Sequence, residues 1–181
     1  GLNKFLDAYG KSTMDLQMGD SIAESLTQQF NDLLEFGNNF DLQIEKEGKI
    51  DCQWLIDQGN LYELPKQMQD MINLVTADGE VTEVEQNVLM AVQTEIKDEG
   101  QLKDETVKTI EGLLDGTLEI DKGIEIAGIK LNAQEAEQLK KSLQEAGISA
   151  KDLKLGDTGI EKAEQQAQAL EQELSKISDT E

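Results

Sequence analysis

The side chains best placed to do chemistry are oxygen donors on one short segment, Leu74-Val75-Thr76-Ala77-Asp78-Gly79-Glu80-Val81-Thr82-Glu83-Val84-Glu85. Carboxylate, hydroxyl and carbonyl oxygens around an Asp-Gly turn are the ligands a hard divalent cation takes. An EF-hand register with Gly79 at its sixth place would start at Leu74, which offers no side-chain oxygen, and have only the Thr76 hydroxyl at its third place. Asp78, Thr82 and Glu85, with the backbone at Glu80, are what remain. That is about four good oxygens where calcium prefers roughly 6–8. The spacing therefore predicts an Asp-Gly turn joining two antiparallel helices, with a weak metal effect at most. No cofactor is expected, and calcium or magnesium is the ion this turn would take if further donors completed it.

Other chemistry is removed by absences. The 181 residues include no His, and the 16 cationic side chains are all lysines, against 38 Asp and Glu, for a net charge of −22. Without imidazole there is no Ser-His-Asp or Cys-His catalysis and no His-ligated metal. Without guanidinium there is no bidentate phosphate clamp. The expectation is a protein that is not an enzyme. The charge opposes direct contact with a nucleic-acid backbone or an anionic membrane and favours basic partners. Cys52 stands alone, so no internal disulfide can form, which fits a reducing, cytoplasmic setting. The chain begins with Gly1, which reads as a trimmed start, so an exported form is also compatible. No apolar run reaches the roughly 20 residues of a membrane span.

The elements that must position these groups follow from hydrophobic spacing. Residues 1–19 show no sustained period and read as an irregular or short helical lead. From Asp20, the residues Ile22, Leu26, Phe30, Leu33 and Leu34 recur at helical spacing up to Gly37, the expected helix stop. Phe40, Leu42 and Ile44, then Ile50, Cys52 and Trp54, alternate on either side of Gly48, which predicts a β-hairpin at about 39–55 with Cys52 as a small inward hydrophobe. Pro65 suits the first turn of a helix with Met68, Met71, Ile72 and Val75 inward. Thr82 with Glu85 is a capping box, opening a helix that carries Val84, Val88, Leu89, Val92 and Ile96 and stops at Gly100. Val107, Ile110, Leu113 and Leu114 mark the next helix, closed near Gly116. Residues 117–131 are ambiguous between helix and strand: Gly123 and Gly128 weaken a helix, and the alternation partly supports a strand. Asn132 with Glu135 caps a helix that carries Leu139 and Leu143 to Gly147, and Ser149 with Asp152 caps a short one. Thr158 with Glu161 opens the last, in which Ile160, Ala163, Ala167, Leu170, Leu174 and Ile177 step alternately by three and four residues, an a/d seam.

The resulting fold class is mainly α: a helical bundle-like domain over 20–156 with one β-hairpin, followed by a longer C-terminal amphipathic helix and tail over 157–181. The stretch Val75-Thr76-Ala77-Asp78-Gly79-Glu80-Val81-Thr82-Glu83-Val84-Glu85 resembles the helix-Ala-Asp-Gly-x5-Glu-helix motif of TerB-like tellurite-resistance domains, with a fainter copy at Leu113-Leu114-Asp115-Gly116-Thr117-Leu118-Glu119. The resemblance spans roughly residues 65–116. It implies a non-enzymatic helical domain of bacterial type, with acidic residues near the turn, here Asp78 and Glu85, associated with divalent cations. In the second copy the place of Glu85 is taken by Lys122.

Read together, these features predict a non-catalytic, acidic protein-interaction module. Its partner is a basic surface or another helix, and the seam from Ile160 to Ile177 is the candidate contact, including for a second copy of the chain. The alternatives are a cation-binding regulatory domain and an acidic mimic of DNA that occupies a nucleic-acid-binding protein.

Overall fold

The computed structural model describes residues 19–158, with side-chain surroundings from Glu24 onward. The elements are α1 (Gly19–Glu47), α2 (Cys52–Leu61), α3 (Lys66–Thr76), α4 (Glu83–Glu99), α5 (Asp104–Asp115), β1 (Ile124–Ile126), β2 (Ile129–Leu131), α6 (Ala133–Glu145) and α7 (Ala150–Leu153). The described residues are mainly helical with one two-stranded antiparallel hairpin, in which Ile124 faces Leu131 and Ile126 faces Ile129.

Helix α4 is central. It packs against α1, α3 and α6, while α2 lies on α3, and α5 meets α6, α7 and β1. Being covered on several sides, α4 buries polar as well as apolar positions: Val88, Leu89, Val92 and Ile96, but also Glu85, Gln86, Gln93 and Glu95. The expected inward stripes of α3, α4 and α6 are all buried, from Met68 and Val75 to Leu139 and Leu143. Their ends follow local chemistry. Thr82 and Asn132 form reciprocal capping boxes with Glu85 and Glu135, and Gly100 and Gly116 adopt the left-handed conformation just past α4 and α5. Pro65 is the residue immediately before α3, where its missing N–H is harmless.

The hairpin is not at 39–55. Residues 39–47 continue α1, and Cys52 opens α2 behind the N-cap Asp51. The alternation of Phe40, Leu42 and Ile44 is a coincidence within a helical period, in which Leu33, Phe36 and Phe40 are buried and Leu42 is 60% exposed. The Phe40 ring sits between Phe36 and Trp54, with centroids 5.8 and 6.2 Å away. Cys52 is half-buried at a helix start rather than turned inward from a strand. The hairpin falls instead in the segment readable either way, 117–131, where Ala127 and Gly128 supply the positive φ values of a tight turn.

Nor does α1 stop at Gly37. The glycine is there because α4 comes close: a Cβ at this position would lie 2.9 Å from Cδ of Gln93, whose amide donates to the Leu33 carbonyl at 3.0 Å. Removing the side chain, not breaking the helix, is what Gly37 contributes. Within the described residues, no helix is long and apolar enough to cross a membrane.

Candidate functional site

The segment singled out by its oxygen donors is the α3–α4 turn. Thr76 ends α3, and its hydroxyl donates back to the Ile72 carbonyl at 2.7 Å. Gly79, at φ 85°, takes the left-handed conformation, and its N–H reaches the Thr76 carbonyl at 3.1 Å. Asp78 Oδ1 accepts from the Glu80 N–H at 3.1 Å, so this carboxylate braces the turn from within. Thr82 Oγ1 then accepts from the Glu85 N–H, and Glu85 Oε1 accepts from the Thr82 N–H, each at 3.1 Å. These contacts satisfy two N–H groups at the helix start.

Glu85 is the unusual member. Its side chain is 0% exposed, and Oε2 has no hydrogen-bond partner. Burial pushes its carboxyl up to about 7; the Thr82 N–H works against this, while Asp78 and Glu145 add to it. At the other side of the turn the Cys52 thiol contacts the Thr76 carbonyl, Sγ to O 3.6 Å. Burial, then the carboxylates of Asp51, Asp78 and Glu85, push that thiol up. A raised thiol is a poor nucleophile at neutral pH, so Cys52 acts as a contact.

Beside the turn lies an open depression of about 500 Å³, bordered by Lys49, Asp51, Cys52, Glu80, Thr82 and Glu83. It is acidic because the α1–α2 loop and the α3–α4 turn bring their carboxylates to the same side. The sequence motif pointed to the turn but not to Asp51 or Glu145, which lie far from it along the chain; the Asp at the N-cap of a helix was the available signal for Asp51.

Of the oxygen donors named from sequence, Asp78, Thr82 and Glu85 are brought to one turn, where each is engaged in the turn's own hydrogen bonds. Among the described residues no group of three or more His, Cys, Asp and Glu side chains is arranged to hold a metal ion. The fainter copy of the motif ends differently. Asp115 Oδ1 accepts from the N–H and hydroxyl of Thr117 at 3.0 and 2.6 Å, which holds its carboxyl below the usual range. No helix follows; the chain runs through Lys122 into β1. The seam residues Ile160, Ala163, Ala167, Leu170, Leu174 and Ile177 lie outside the described residues, as does the pairing of Thr158 with Glu161. Comparison with family models, with curated proteins and with solved structures returned no match.

Proposed function

We propose that the chain is a non-catalytic interaction module that receives a basic segment of a protein partner. The observation that carries this reading is the acidic depression beside the α3–α4 turn, where Asp51, Glu80 and Glu83 face a single lysine, Lys49. The net charge of −22 steers basic partners toward the molecule, and the depression gives a lysine- or arginine-bearing side chain a place to dock. Such an encounter relies on rim charges, so it is fast and sensitive to salt.

The test is binding of a lysine-rich peptide to the full chain at two salt concentrations, with Glu80→Gln/Glu83→Gln beside the parent. Removing two carboxylates is expected to weaken binding several-fold at low salt and to flatten its salt dependence. Binding that ignores those substitutions but disappears in Leu170→Asp/Leu174→Asp refutes the depression and assigns recognition to the C-terminal seam. The cation-binding domain implied by the TerB-like resemblance is separated from both by adding calcium or magnesium. A ligand of the native state raises the melting temperature, and a rise of several degrees at micromolar calcium favours that reading.

A further inference from the structure

We propose that the groove between α4 and the hairpin is the docking site of the chain's own C-terminal segment, residues 159–181, which seats Leu170, Leu174 and Ile177 in it. The inference goes beyond the functional reading above, and its experiment needs no partner.

The groove holds about 500 Å³ and is walled by Met90, Ala91 and Thr94 of α4 and by Ile129 and Leu131 of β2. Ala91 and Leu131 are buried, but Met90 and Ile129 are only half-buried. Apolar surface is therefore left facing water along a concave strip, and covering it is favourable. Asn87 and Lys130, both exposed, give the strip a polar rim. An apolar patch rimmed by polar residues is the pattern of a surface that receives another segment.

The segment beyond Thr158 matches this groove in pattern, reach and charge. From Ile160 to Ile177 its apolar residues follow one narrow seam at helical spacing, which needs a single apolar partner. The small Ala163 and Ala167 come before the large Leu170, Leu174 and Ile177. The described fold ends in a cavity that Asp157 and Thr158 share with Leu102 and Val107, just past the end of α4. Leu102 and the groove residue Thr94 are separated by the end of α4 and a short loop, at most roughly 18 Å. A helix leaving Thr158 carries Leu170 about the same 18 Å. The large seam residues thus arrive where the groove begins, and the alanines pass the loop before it. The segment bears six Asp and Glu side chains against Lys162 and Lys176. Asp51, Glu80 and Glu83 repel it from the depression beside the α3–α4 turn, whereas the charges bordering the groove, Lys130 and Glu135, offset each other.

The experiment uses the full 181-residue chain, nitrogen-15 labelled, with a nitroxide on Ser175→Cys in a Cys52→Ser background. Ser175 lies outside the seam, so the label leaves the docking residues intact. The expected result is broadening of the Met90, Ala91, Thr94, Ile129 and Leu131 amides, and loss of that broadening when Leu170→Asp/Leu174→Asp is added. Broadening centred on the acidic depression, spread evenly over the surface, or unchanged by the Asp pair overturns the proposal. Mixing nitroxide-bearing chain without nitrogen-15 with labelled chain without nitroxide tests a second copy as the occupant: groove broadening in that mixture assigns the groove to association between chains and overturns docking within one. Should the Asp pair fail to fold, the labelled parent and the mixture decide between them: the groove amides must broaden in the first and stay sharp in the second.

Discussion

Replacing Gln67 with Leu tests how the C-terminal end of the described domain is held. Gln67 lies in the first turn of α3 and is 2% exposed, with both ends of its amide in use. Nε2 donates to the Leu155 carbonyl at 2.9 Å, and Oε1 accepts from the Leu102 N–H at 2.8 Å. One side chain thus satisfies two buried backbone groups from segments that no regular ladder reaches. Leucine preserves volume but orphans both. Each abandoned group costs about 1–3 kcal/mol, less what the apolar side chain regains, so a net loss of about 2–4 kcal/mol is expected. For a chain of this size that is a fall of roughly 5–15 °C in melting temperature. Urea unfolding measures the loss, and amide exchange at Leu102 localises it. Lys66→Ala is the control, because Lys66 reaches the neighbouring Lys154 carbonyl at 3.1 Å and Asp70 at 2.7 Å from a position 36% exposed. Its removal should cost at most ~1 kcal/mol. Equal losses in the two variants, or a loss under about 0.5 kcal/mol for Gln67→Leu, refute the argument that burial sets the magnitude.

Two further outcomes are expected. At the hairpin tip Ala127 sits at φ 50°, a conformation that asparagine adopts more readily, so Ala127→Asn should raise unfolding free energy by about 0.5–1 kcal/mol in a denaturant titration. Because carboxylates outnumber lysines 38 to 16, moderate sodium chloride at pH 7 should raise the melting temperature by screening repulsion, and a fall would mean that attractive lysine–carboxylate pairs dominate.

What could be read from sequence is what is decided within one helical turn. The reciprocal boxes at Thr82–Glu85 and Asn132–Glu135 formed as their spacing predicted, and so did the stops at Gly100 and Gly116. The hairpin was misplaced because its determinants compete over a longer range. Phe40, Leu42 and Ile44 fit a period of two, yet Leu33, Phe36 and Phe40 fit the helical period and have α4 and Trp54 to pack against. At the true hairpin, Ile124, Ile126, Ile129 and Leu131 carry the alternation, but Ala127 stands where asparagine would have announced the turn.

The candidate site divides along the same line. Its donors were legible as a motif, but the burial of Glu85 was not, because it depends on α6 and on the covering of α4 from several sides. Polar residues such as Gln67, Gln86, Gln93 and Glu95 look like surface positions in sequence. In the fold each instead binds a distant backbone group: Gln67 holds Leu102 and Leu155, Gln86 holds the Ile50 N–H, Gln93 the Leu33 carbonyl and Glu95 the Lys103 N–H. Except for Gln93, whose partner Leu33 lies within α1, they supply hydrogen bonds that loops and helix ends lack, and a glutamine does so without a charge to neutralise. Glu85 belongs to this set by position but differs in what it leaves over, the one buried side-chain oxygen among the described residues without a partner. A glutamine at 85 could also accept from Thr82 and would carry no ionisable proton, so capping alone does not call for glutamate here.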